Sequence, residues 1–191
     1  MKRLIKLTVT FVIILISVCG CNDLKKASKN TSIDKVNSYR AKVSIKSDNF
    51  NEDYVIFNKG NNEYIINFTD NSNSYSAKID KKGTVVTDLS GNKVNIKLKY
   101  DYTNTDIFLK GIKTKSDKSE TEKINNKEYT KYTFSVSKNV LNKMLKPFGI
   151  SVNDDGEGYA YIDSNNKAYI VNYSSNNTVI NVSYTNIGNV E

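Results

Sequence analysis

The sequence predicts a mainly β domain of the α+β class. It would be one antiparallel sheet, wet on one side, with its apolar side covered by one or two helices. Three observations predict this. Strict alternation of apolar and polar residues dominates the chain from Tyr39 to Thr185. Short turn-forming tracts punctuate it, among them Lys81-Lys82-Gly83, Ser90-Gly91-Asn92 and Asn125-Asn126-Lys127. One late segment, residues 137–146, carries a clear helical stripe.

The N-terminus reads as an address. Lys2, Arg3 and Lys6 precede a charge-free apolar run over residues 7–18. This is the n-region and h-region of a secretory signal, and the run is short for a permanent membrane span. Val18-Cys19-Gly20-Cys21 follows and resembles the bacterial lipobox. That chemistry needs a thiol to take a diacylglyceryl group and a small residue before it for the peptidase. Cys21 after Gly20 fits, whereas Cys19 follows branched Val18. Residues 1–20 are therefore expected to be a lipoprotein signal peptide cut between Gly20 and Cys21. Residues 21–31 would be a polar tether and 32–191 the folded domain. Two acyl chains on Cys21 give stable anchoring. The expected location is the extracytoplasmic face of the cell membrane.

The chain has 191 residues, 28 Lys+Arg against 20 Asp+Glu, and a formal charge of +8. Removing residues 1–20 takes three positive charges with it and leaves +5. No run of like charges supports a nucleic-acid partner. Lys25, Lys26 and Lys29 lie close enough to the anchor to touch anionic head groups, or they line a solvated tether. The chain holds 27 Asn. That richness suggests an AT-rich genome and a Gram-positive source, and it places Asn at many hairpin tips.

Residues 32–37 would form a short helix capped by Ser32 or Thr31. Strands follow on Tyr39, Ala41, Val43 and Ile45, then on 54–57, then on Tyr64, Ile66 and Phe68, and on Tyr75, Ala77 and Ile79. Residues 84–89 resume after a turn. Val94, Ile96, Leu98, Tyr100 and Tyr102 give the longest clean alternation and predict a strand. Residues 105–112 would be a turn of helix capped by Thr105. Residues 113–123 read as an exposed loop or edge strand, followed by a strand on Tyr132, Phe134 and Val136. Ser137 would cap the helix carrying Val140, Leu141, Met144 and Leu145, which Pro147 ends. Residues 151–158 read as a loop, and three strands close the chain at 159–163, 168–173 and 178–185. No internal repeat or second domain is visible.

Composition bears on chemistry. With no His, the chain has no Ser-His-Asp triad, Cys-His pair or HExxH zinc site. Two Cys at 19 and 21 make neither a disulfide framework nor a CxxC knuckle. Ser-x-x-Lys occurs at Ser32, Ser90, Ser135 and Ser164, as chance allows in so Ser- and Lys-rich a chain, without the partner motifs of a serine acyl-enzyme. Asn153, Asp155, Glu157 and Gly158 mimic the start of a calcium loop, yet Ser164 stands where its last Glu belongs. Asp154, Asp155, Glu157 and Asp163 are the candidates from which a glycosidase carboxylate pair could be drawn. Both patterns read better as solvated turns. No catalytic residue, metal or cofactor is expected. The 13 Tyr suit a half-buried sheet face or a binding surface. Tyr159, Tyr161, Tyr169 and Tyr173 fall on adjacent strands and are the candidate partner surface.

One resemblance draws these readings together. A lipobox is followed by a short helix, then by Val36-Asn37-Ser38-Tyr39-Arg40-Ala41-Lys42-Val43. A run of strands and a late helix come next, and the close runs from Tyr159-Ala160-Tyr161-Ile162-Asp163 to Tyr184-Thr185-Asn186-Ile187-Gly188. This layout resembles clostridial lipoproteins with the LolA/LppX-like fold, and is similar to that of GerS-type spore germination lipoproteins. The resemblance implies an incomplete β-barrel, a curved antiparallel sheet with helices on its concave side. LolA relatives carry lipids or lipoproteins in that cavity. GerS-like proteins are non-enzymatic partners of a cell-wall amidase in spore-cortex modification. Arg40 is the only Arg after the signal, and the chain has no Trp, which departs from the LolA carriers. The expectation is a membrane-anchored, non-enzymatic adaptor with a protein partner in the envelope. The alternative is a carrier of a hydrophobic ligand. Self-association is left open.

Overall fold

The structure is a computed structural model. It describes residues 24–31, 38–70, 72–113 and 116–188. Gly20, Cys21 and the expected signal peptide lie outside the described residues, as does the helix expected at 32–37.

Among the described residues, ten strands form one sheet. They are β1 (Tyr39–Ser47), β2 (Phe50–Gly60), β3 (Glu63–Asp70), β4 (Asn73–Asp80), β5 (Gly83–Asp88), β6 (Lys118–Ile124), β7 (Lys127–Val136), β8 (Gly156–Ile162), β9 (Ala168–Ser175) and β10 (Thr178–Thr185). The order is β5-β4-β3-β2-β1-β10-β9-β8-β7-β6, and each pairing is antiparallel. Two meanders are thus joined through the first and last strands. Val43 stands opposite Val182 and Ile45 opposite Ile180 at the seam. The edges are β5 and β6. On β6, Lys118 to Ile124 is exposed along most of its length, and its charged Lys118, Glu120, Glu122 and Lys123 discourage a further strand from pairing there.

The Asn-rich tips behave as Asn dictates. Asn61, Asn62, Asn125, Asn126, Asn166 and Asn176 all have positive φ. The tight turns need that region, and Asn tolerates it better than most residues.

Ala41, Val43, Ile45, Ile56, Ile66, Ala160, Val171, Ile180 and Val182 are buried on one sheet face. Helix α2 (Lys138–Leu145) adds Leu141, Met144 and Leu145 to the same core, and Phe148 follows after Pro147. The expected cap is replaced. Ser137 makes no side-chain cap, and Asp155 Oδ1 accepts from the Lys138 N–H at 2.8 Å instead.

Residues 24–31 differ from the tether expectation. They form a helix, α1, with Leu24, Ala27, Ser28 and Thr31 buried. The Ser28 hydroxyl donates to the Leu109 carbonyl at 3.1 Å, and Thr31 Oγ1 accepts from the Ala168 N–H at 2.7 Å. Spacing of i, i+3, i+4 and i+7 puts these four on one stripe, which the sheet covers.

The strand expected at 94–102 also differs. Val94 N donates to the Val86 carbonyl at 3.0 Å and Lys93 bridges Thr87, after which pairing to β5 stops. The segment leaves the edge and lays Tyr102 against Tyr54, with ring centroids 4.7 Å apart, and against Phe68 at 5.8 Å. Tyr100 lies 5.2 Å from Phe148. Burial of two large rings outweighs a row of edge hydrogen bonds. Two 3-10 turns follow, Thr105–Leu109 and Gly111–Lys113. Thr105 is inside the first and does not cap it. It is buried, sharing a hydrogen bond with the Tyr39 hydroxyl at 2.5 Å, and its carbonyl accepts from Tyr184 Oη at 3.1 Å.

Candidate functional site

Ser32 lies outside the described residues, and several of the other residues singled out for chemistry are engaged in local structure. Asp163 Oδ1 accepts from the N–H groups of Asn165 and Lys167 at 2.9 and 2.8 Å, which closes a turn. Asp155 caps α2. Asp154 accepts from the Asn176 side-chain amide. Ser135 donates to Asp117 at 3.0 Å, with no lysine as its partner. The calcium-loop pattern falls apart because Gly156–Ile162 is strand β8. Gly158 is there for packing. A Cβ on it would lie 2.5 Å from the Phe134 ring and 2.8 Å from the Asn172 carbonyl oxygen. Among the described residues, no group of three or more His, Cys, Asp or Glu stands together to hold a metal.

The interior is filled with aromatic side chains. Tyr39, Tyr102, Tyr173 and Tyr184 are buried together with Phe108 and Phe134. Tyr173 Oη donates to the Phe108 carbonyl, and Tyr102 Oη to Glu52. Burial pushes the phenols of Tyr39, Tyr54, Tyr102, Tyr173 and Tyr184 up, so they stay neutral.

The four tyrosines of the expected partner surface separate. Register decides this. Tyr161 stands opposite Ile170 and Tyr159 opposite Asn172, on the open face, whereas Tyr173 stands opposite Gly158 on the buried one. Tyr173 is fully buried and lies inside the domain. The pairing shifts between Tyr161 and Ile162, so parity counted across the turn fails. Tyr169 stays half-buried and stacks on Tyr129, centroids 4.7 Å apart and planes 18° from parallel. Clefts of about 590 and 540 Å³ flank that stack, sharing Lys127, Asp163 and Asn165.

The remaining pair meets residues that sequence reasoning missed. Lys131 stands opposite both Glu120 and Tyr161 across its two neighbouring strands. Its Nζ is 2.9 Å from Glu122 Oε1 and 3.4 Å from Glu120 Oε1. It also lies 5.7 Å above the Tyr159 ring and 5.8 Å above the Tyr161 ring, a cation between two aromatic faces. Tyr161 Oη donates to Glu122 Oε2 at 2.6 Å. The Tyr161 and Lys131 hydrogen bonds hold the Glu122 carboxyl below the usual range, and Glu122 in turn pushes the Lys131 ammonium up. The available signal was alternation: Lys131 has the parity of Tyr129 and Thr133, opposite to core-facing Tyr132 and Phe134.

No family model and no curated protein sequence matches this chain. Solved structures do. The structure of LprF from Mycobacterium bovis matches with a TM-score of 0.66 at 14% identity, over 92% of this chain and 95% of that one. The Mycobacterium tuberculosis lipoprotein LppX matches with a TM-score of 0.58 at 13% identity, over 91% and 97%. The chain shares their fold. The likeness spans nearly all of each chain. At such identities it says nothing of the Lys131 cluster.

Proposed function

We propose that this protein is a non-enzymatic, lipid-anchored adaptor of the cell envelope, held by diacylglyceryl-Cys21 at the extracytoplasmic face of the membrane. Its helices would lie on the concave side of a curved sheet. The observation that carries the adaptor reading is the Lys131, Glu120, Glu122, Tyr159 and Tyr161 array on the open face of β6–β8. Aromatic and charged side chains that hold one another in place offer a partner contact area at low ordering cost. The fold likeness to a lipoprotein supports the anchor. The layout resemblance makes a cell-wall amidase of sporulation or germination, in a Gram-positive cell, the partner to test first. Pull-down from envelope extract should recover a protein with the parent chain and lose it with Tyr159→Ser/Tyr161→Ser. Equal recovery by both would overturn this assignment.

A second reading is favoured by the 93–98 segment. Val85, Val86, Val94, Ile96 and Leu98 line a groove of about 490 Å³ between that segment and β5, with Val85 exposed. It would hold one apolar chain of a lipid or another hydrophobic ligand. Native mass spectrometry of the purified protein tests it; a chain that leaves the membrane fraction free of bound lipid argues against a carrier.

A further inference from the structure

We propose that α1 is a membrane-docking helix that seats the helix-covered side of the domain on an anionic lipid surface and turns the open sheet face away from it. This rests on the reading that Cys21 carries the acyl anchor.

Two observations meet here. The first is distance. Leu24 is fully buried in the core, only three residues after Cys21. Extended chain covers about 3.6 Å per residue at most, so the anchor lies within roughly 11 Å of the Leu24 backbone. The domain is therefore held against the bilayer, with no tether of ten residues to let it turn.

The second is charge. Burial of Leu24, Ala27, Ser28 and Thr31 fixes the rotation of α1, and Lys25, Lys26 and Lys29 project from its exposed side. Ser28 donates to the Leu109 carbonyl, so exposed Lys110 is one residue from the point where α1 meets the 105–110 turn. Among the described residues none of these four lysines forms a salt bridge, whereas Lys78, Lys99 and Lys131 each do. Residues 24–31 contain no acid; the acids next to these lysines in sequence are Asp23, just before Leu24, and Asp106 in the 105–110 segment, so the balance is positive. Anionic head groups are the complement of such a face. Lys42 and Lys46, by contrast, are exposed on β1 opposite core residues Ala41, Val43 and Ile45. They mark the face that would point away from the bilayer.

The test uses the full lipidated chain in bilayer discs, with lysine acetylation rates read residue by residue by mass spectrometry. Discs of phosphatidylcholine are compared with discs that also contain phosphatidylglycerol. Lys25, Lys26, Lys29 and Lys110 should each slow about five-fold in the anionic discs, with Lys42 and Lys46 unchanged. The exposed substitutions Lys25→Ser/Lys26→Ser/Lys29→Ser should remove the slowing at Lys110. Equal rates in both kinds of disc, slowing at Lys42 and Lys46 instead, or undiminished slowing at Lys110 in the triple variant would each overturn the proposal. Intact mass separates it from the anchor reading. A chain without acyl mass on Cys21 overturns both, and an acylated chain with equal rates overturns only the docking face.

Discussion

Tyr102 donates its hydroxyl hydrogen bond to Glu52 at 2.9 Å, and this pins the end of the 93–102 segment to β2. The Glu52 carboxyl sits above its ordinary range because burial disfavours its charge, with the Tyr102 bond pulling it partly back. Tyr102→Phe removes that pull and leaves the ring packing intact. We expect a loss of about 1–2 kcal/mol at neutral pH by chemical denaturation. The sign follows from linkage. A carboxyl raised in the folded state contributes stability that is present below its unfolded value and lost as pH rises through the folded one. Tyr102→Phe raises it further, so the deficit should be larger at pH 7 than at pH 4. A deficit that does not change with pH would show that Glu52 is not its source.

Gly111 lies against the Tyr173 ring so closely that a Cβ there would be 2.2 Å from a ring carbon. Tyr173 is fully buried and cannot swing out. Gly111→Ala should destabilise the domain by about 1–3 kcal/mol through overpacking, read as a lowered denaturation midpoint. An unchanged midpoint would mean that the 111–113 turn moves freely over β9.

Which parts were legible follows from what kind of signal each segment carries. Helix α2 could be read because a stripe of Val140, Leu141, Met144 and Leu145 ends at Pro147. The hairpin tips could be read because positive φ selects Asn. Residues 94–102 misled because alternation reports a period and names no partner. Two faces distinguish themselves on any extended chain, whether it pairs with an edge or crosses over rings. Helix α1 hid behind its composition. Only Leu24 and Ala27 are apolar, and small Ser28 and Thr31 complete the buried stripe through hydrogen bonds. The candidate surface was half legible. Tyr159 and Tyr161 share a parity on one strand, but the pairing shift at Tyr161/Ile162 hid which way Tyr173 faces. The Lys131 contacts come from cross-strand register, which one strand's sequence does not contain.

Glu122 gives the open face an acid signature. Its hydrogen bonds from Tyr161 and Lys131 hold its carboxyl below the ordinary glutamate value of 4.5. A lowered carboxyl contributes stability that is present above the unfolded value and lost as pH falls through the folded one. Glu122→Gln should therefore be less stable than the parent at neutral pH, and the gap should close well below pH 4.5. Denaturation midpoints at several pH values check this. The side chains are partly exposed, so the gap should also narrow at high salt. A gap of constant size down to strong acid would remove Glu122 from the network.

Leu24 decides between a docked helix and a tether at the N-terminus. A tether residue can be truncated without consequence, whereas a fully buried Leu cut to Ala loses about 2–5 kcal/mol. We expect Leu24→Ala to fall in that range and Lys26→Ala, on the exposed side, to stay within about 0.5 kcal/mol. Thr31 adds an independent check. Thr31→Val strips the acceptor from the Ala168 N–H and should cost about 1–3 kcal/mol, while Thr31→Ser keeps the oxygen and should recover most of it. If Leu24→Ala and Thr31→Val were both silent, α1 would not be packed on the sheet, and the membrane orientation argued from it would go too.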